Sequence, residues 1–173
     1  MNNVIKMLLL TVLFLNLPLL AFEYRVKTED IQLQINKNLP ITKKFLFLTL
    51  EITEAIINID EKSERVTIEC HLNSPNIVVK EASLKAKIIA SSEIIFKDNL
   101  EFFIEDIIIE NIESPYLDVK MKKMLSKSAE VTLNSYFSKY PVYDLKNAPK
   151  EIKSYVGMIK EIKLCKSGVN VIF

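Results

Sequence analysis

The stretch from Ser114 to Tyr140, SPYLDVKMKKMLSKSAEVTLNSYFSKY, constrains the fold more than any other, because it reads as one long helix in a chain that otherwise reads mostly as strand. Ser114 suits an N-cap, and Pro115 suits the first helical position, where its missing N–H leaves no hydrogen bond unmade. Asp118 falls in the first turn and Lys139 in the last, each with the sign that the helix dipole favours, and Pro141 ends the helix. Projected at about 100° per residue, Leu117, Met121, Met124, Leu125, Val131 and Tyr136 share one face, while Lys120, Lys123, Lys127, Glu130 and Asn134 share the other. Down the middle of the apolar face run Ser128, Thr132 and Ser135. Two readings stand for these hydroxyls: an under-filled stripe facing a sheet, or side chains bonding back to the helix's own carbonyls.

The chain has 173 residues, 49% of them apolar, enough for one domain with a real core. Its net charge of +1 argues against a general nucleic-acid binder, which carries a basic excess to neutralise phosphates. The charge is unevenly spread. Residues 22–113 hold 11 basic and 17 acidic side chains, and residues 114–173 hold 11 and 5, so the two parts attract each other.

Residues 1–21 carry one charge, Lys6, then an apolar run from Met7 to Leu20 broken by Asn16 and Pro18, and the small Ala21. This reads as a secretory signal peptide removed after Ala21, which places the mature domain, residues 22–173, in the periplasm; an uncleaved membrane anchor is the alternative. Cys70 and Cys165 are the only cysteines, so the mature N-terminus has no cysteine to receive a lipid. Whether the two form a bridge is open from sequence, and a small buried hydrophobe is the default role of Cys70, which alternates in register with Val66, Ile68 and Leu72.

After the signal, Thr28 suits the cap of a short amphipathic helix with Ile31, Ile35 and Leu39 on one face before Pro40. Four long strands follow, read from β-branched runs and alternation: Phe45 to Ile59, unbroken or bulged, the Val66–Leu72 run, Ala82 to Phe96 with Leu84, Ile88 and Ala90 inward, and Leu100 to Ile112. The breaks are Asp60-Glu61-Lys62-Ser63, Asn73-Ser74-Pro75-Asn76 and Lys97-Asp98-Asn99. The run Ile107-Ile108-Ile109 is apolar on both faces and gives no inside. Pro149 opens a third helix with Ile152, Tyr155, Val156 and Ile159 at helical spacing, and after Ser167-Gly168 the chain ends as a strand inside the sheet. The fold class is thus α+β: an antiparallel meander with one long C-terminal helix, a short N-terminal helix and a final helix and strand.

Catalytic patterns are missing. A single histidine, His71, excludes histidine-based metal clusters and most nucleophile–base pairs, and two glycines exclude a phosphate cradle. Glu105 with Asp106 reads as surface charge. No enzyme activity, cofactor or metal is expected.

Four segments together resemble the YceB-like bacterial envelope lipoproteins, a domain family of unknown function: Tyr24-Arg25-Val26-Lys27-Thr28-Glu29-Asp30-Ile31, Val66-Thr67-Ile68, Leu133-Asn134-Ser135-Tyr136-Phe137 with Pro141-Val142-Tyr143-Asp144-Leu145, and the closing Val169-Asn170-Val171-Ile172-Phe173. The resemblance spans nearly all of residues 22–173, but this chain departs from the family in lacking the cysteine after the signal. It implies a strongly curved sheet wrapped round the long helix, related to tubular lipid-binding (TULIP-like) modules that hold lipid in a hydrophobic groove. The expected function is a non-enzymatic binding protein for a lipid or other apolar small molecule, with an envelope protein or a membrane surface as further partner. The groove candidates are Leu117, Met121, Met124, Leu125, Ser128, Val131, Thr132, Ser135 and Tyr136 on the helix, with Ile68 and Ile88 on the sheet. The alternative is an interaction or scaffold module whose apolar helix face is simply core.

Overall fold

A computed structural model describes residues 22–45, 48–59, 62, 65–79, 82–97 and 100–173. The signal-peptide reading of residues 1–21 lies outside these, as do most of the Asp60–Ser63 turn and Asp98-Asn99.

Ten residues after Glu23 already set the pattern of a strand handing over to a helix. Strand β1 (Glu23–Lys27) leads straight into helix α1 (Thr28–Lys37). Lys27 occupies the cap position and offers no side-chain bond, so the expected Thr28 cap is corrected: the Thr28 hydroxyl is buried without a hydrogen-bond partner, and its N–H donates to the Ser167 carbonyl at 3.0 Å. Ile31 and Ile35 are buried as expected.

The meander follows as β2 (Ile41–Phe45), β3 (Leu48–Ile59), β4 (Val66–Val79), β5 (Ala82–Lys97) and β6 (Glu101–Glu113), paired antiparallel in sequence order, with the two-residue β7 (Tyr143–Asp144) added at the β6 edge. The strand expected from Phe45 to Ile59 is present as β3, with a bulge between Ile52 and Glu54, but it begins at Leu48: Phe45 ends β2, opposite Leu48 across a tight hairpin. No glycine, asparagine or proline in the segment KKFLFLTL signals the change of direction between β2 and β3. The expected break at Asn73–Asn76 is a bulge: β4 runs on through it, with the register to β5 shifting between Ser74 and Val78.

Alternation builds the inner face. Val66, Ile68, Cys70 and Leu72 on β4 pair with Ser92, Ala90, Ile88 and Ala86 on β5, and all eight are buried. On β6 the parity changes. Phe102 and Ile104 point inward, a bulge at Asp106 (φ 49°) intervenes, and then Ile107 points inward and Ile108 is exposed. A second register shift restores the even positions, so Ile112 is buried. These two slips explain why the triple isoleucine gave no inside.

Helix α2 (Val119–Phe137) lies along β6, and α1 lies against β3. The expectation of one long C-terminal helix from Ser114 to Tyr140 is corrected in both length and place. The helix has 19 residues, and β7, a four-residue helix α3 (Lys150–Lys153) and strands β8 (Glu161–Cys165) and β9 (Gly168–Ile172) still follow it. Its cap is Asp118, whose carboxylate accepts the Met121 N–H at 2.7 Å, while Ser114 donates to the Lys85 carbonyl at 3.0 Å and Pro115-Tyr116 form a turn. Asp118 is the better cap because it adds a full negative charge at the positive end of the helix. The third helix is only α3 followed by a 3-10 turn at Val156–Met158. The chain does not end in the meander: β9 is the central strand of a second, three-stranded sheet, ordered β1-β9-β8.

Gly168 is required where β8, β9 and β1 meet. Its φ is +148°, and a Cβ there would stand 1.9 Å from the Val26 carbonyl oxygen.

Candidate functional site

The residues of α2 that face the sheet are Leu125, Ala129, Thr132, Leu133 and Phe137, all buried. Their spacing of four, three, one and four residues is the stripe that packs on β6. It is rotated from the stripe read in the sequence, which took in Val131 and Met124; these are 51% and 39% exposed. Ala129, Leu133 and Phe137 were missed because the sequence stripe was drawn through the helix's methionines. Asn134, expected on the outer face, instead bonds into β6: its Oδ1 accepts the Ile107 N–H at 3.0 Å and its Nδ2 donates to the Ile107 carbonyl at 2.9 Å.

The groove candidates divide into three groups. Ile68, Ile88, Leu125 and Thr132 have no exposed surface and are core. Leu117, Met121, Ser128, Ser135 and Tyr136 are half-buried, and Met124 and Val131 are exposed. The Thr132 hydroxyl donates back to the Ser128 carbonyl at 2.8 Å, so at this residue the back-bonding reading holds. Between Leu125 and Phe137 every turn of the helix thus has side chains buried against the sheet.

Packing changes along the helix. From Leu125 onward every turn of α2 buries at least one side chain, and before Leu125 none is buried. Here Leu117 rests half-buried against the core, Met121 is half-buried, Met124 is exposed, and Val119 is 85% exposed. Lys120, Lys122, Lys123 and Lys127 surround these residues, with no acidic residue from Val119 to Ala129. The sequence signal for this end was the run of lysines interleaved with Met121 and Met124.

Three surface cavities lie elsewhere, and α2 lines none of them. One of 460 Å3 is framed by Thr53, His71, Lys85, Lys87 and Glu113 over Leu72 and Ala86. One of 530 Å3 lies between α1 and β3 at Gln32, Asn36, Pro40 and Glu54. The third, of 380 Å3, opens between β1, α1 and β7. At its floor the Tyr24 and Tyr143 hydroxyls are hydrogen-bonded at 2.9 Å. Burial, the bond to Tyr24, and the nearby Asp30 and Asp144 carboxylates push the Tyr143 hydroxyl well above the usual phenol range, so it stays protonated.

His71 sits on the outer face of β4, more than half exposed, 3.1 Å from Glu54. Cys70 and Cys165 are free thiols, the first buried and the second half-buried. Burial pushes the Cys70 thiol up to about 12. Among the described residues no group of histidine, cysteine and carboxylate side chains has metal-binding geometry, and no helix is long and apolar enough to cross a membrane.

No known protein family matches the chain, and no curated protein matches it.

Proposed function

We propose that the protein is an exported, periplasmic, non-enzymatic carrier or sensor that holds one acyl chain, or an apolar molecule of similar shape, against the sheet beside the first turns of α2. The carrying observation is the change in packing along that helix. Leu117, Met121 and Met124 leave apolar surface uncovered just before Leu125, where close packing begins. Methionine side chains adapt to a chain of varied shape, and each methylene removed from water contributes about 0.8 kcal/mol, so roughly ten offset the cost of association. The four lysines around the patch complement an anionic headgroup, carboxylate or phosphate. The resemblance to YceB-like proteins and TULIP-like modules supports the same reading, with the meander curved round α2. The bulges in β3, β4 and β6 favour such curvature.

A second reading is supported by the burial of the helix–sheet interface. Ile68, Ile88, Leu125 and Thr132 are completely buried, as in a module whose helix face is core and which recruits an envelope protein through an exposed strand edge.

The test is native mass spectrometry of protein purified from the envelope without detergent, followed by retention of a fluorescent fatty acid. The carrier reading expects a bound apolar mass, and retention abolished by Met121→Glu and Met124→Glu at unchanged thermal midpoint. Protein free of adducts that retains no probe would leave the interaction module.

A further inference from the structure

We infer that the cavity between β1, α1 and β7 is a binding site for a small molecule bearing a primary ammonium or guanidinium group. The inference is independent of the acyl-chain reading, because no residue of α2 reaches this cavity.

Two segments more than a hundred residues apart build the site. Residues Asp30, Leu33, Gln34 and Lys37 recur at one-turn spacing and form the face of α1 that lines one wall. Pro141, Tyr143, Asp144 and Asn147, from the segment that returns after α2, form the other. Tyr24 of β1 closes the floor through its bond to Tyr143. At 380 Å3 the space suits a small molecule.

The chemistry of the floor selects a cation. Asp30 and Asp144 both line the cavity, from its opposite walls, beside the hydrogen-bonded Tyr24 and Tyr143 hydroxyls. Asp144 is held in place by accepting the Lys146 N–H at 2.8 Å, and the Lys146 ammonium lies at 4.0 Å, the outer limit of an ion pair, on a mostly exposed side chain. Among the described residues Asp30 makes no ion pair, and the side chains of Gln34, Lys37 and Asn147 make no hydrogen bond. Elsewhere comparable groups are spent internally: Gln32, two residues from Asp30, bonds both Ala55 and Ile57. A cation placed between the carboxylates would also meet the tyrosine rings, whose faces attract positive charge. Lys37, two turns along α1 from Asp30, then stands where an anionic far end of the ligand would lie.

Calorimetric titration of the exported protein with n-butylammonium and n-butylguanidinium, at fixed ionic strength and with n-butanol as the neutral control, tests the site. Both cations should bind saturably and butanol should not. Asp30→Asn, a change on an exposed residue, and Asp144→Asn, which keeps the oxygen that caps Lys146, should each weaken binding at least about fivefold while the thermal midpoint stays put. Absence of saturable heat, equal binding of butanol, or cation binding unchanged in Asp30→Asn overturns the proposal. Should Asp144→Asn fold poorly, the Asp30→Asn result decides alone.

Discussion

The side-chain amide of Asn134 pairs with both backbone groups of Ile107, accepting from its N–H at 3.0 Å and donating to its carbonyl at 2.9 Å. The bulge at Asp106 turns these two groups out of the β5–β6 ladder, and the helix supplies an amide in place of the missing strand. From the outer face Arg65 holds the same bulge, bonding the Asp106 carboxylate at 2.8 Å and its carbonyl. Gln32 plays the same part on the other side of the sheet, donating to the Ala55 carbonyl and accepting from the Ile57 N–H where β3 runs past the end of β2. Helices α1 and α2 are thus each fixed to a strand by one amide that stands in for a peptide group.

Asn134→Ala should therefore cost about 2 to 4 kcal/mol, since two partly buried backbone groups lose their partners. Asn134→Asp keeps an acceptor for the Ile107 N–H but loses the donor, and should fall between the wild type and Asn134→Ala. Urea denaturation of the three proteins checks the order.

Gly168→Ala meets two obstacles at once. The residue would carry a side chain at positive φ, and its Cβ would collide with the Val26 carbonyl. A loss of at least about 3 kcal/mol is expected, and because β1 and β9 part company, hydrogen exchange should quicken in the small sheet before the meander.

The Cys70 thiol is raised by burial to about 12, so the native state holds its proton where an unfolded chain has released it. A group raised in the folded state contributes stability that is complete below the unfolded value and lost as pH climbs toward the folded one. Stability should accordingly decline from about pH 9 to about pH 12, and Cys70→Ala should flatten that decline. At pH 8, without denaturant, a thiol reagent should label Cys165 and leave Cys70 untouched until the protein unfolds.

Much of the sheet was legible because alternation is a local signal. Val66, Ile68, Cys70 and Leu72, and their partners on β5, follow from period two alone. The bulges in β4 and β6 were not legible, since the extra residue at Asp106 leaves no mark in a run of isoleucines. Neither was the small sheet: Tyr24 pairs with Val171, and five residues near each end of the chain carry no sign of a partner so far away. The helix cap was read four residues early because Ser114-Pro115 imitates one, whereas Ser114 is committed to Lys85 and Asp118 caps the helix. At the candidate site, the lysine-framed methionines were visible in sequence, but the Tyr24–Tyr143 floor exists only through the fold.

The sharpest disagreement between sequence and structure concerns which side of α2 is inside, and it yields a quantitative test. Leu125 lies on both versions of the stripe, and Leu125→Ala should cost about 2 to 5 kcal/mol, because a fully buried leucine leaves a cavity that neighbours on β6 only partly close. Val131 and Met124 lie on the sequence stripe alone. Exposed as they are, Val131→Ala and Met124→Ala should each change stability by less than about 0.5 kcal/mol. Ala129 lies on the structural stripe alone and is fully buried, so Ala129→Leu has no room and should cost about 1 to 3 kcal/mol by overpacking. Chemical denaturation of the four variants distinguishes the two helix rotations: large losses at Val131 with tolerance at Ala129 would restore the stripe read from sequence and reopen the groove along the whole of α2.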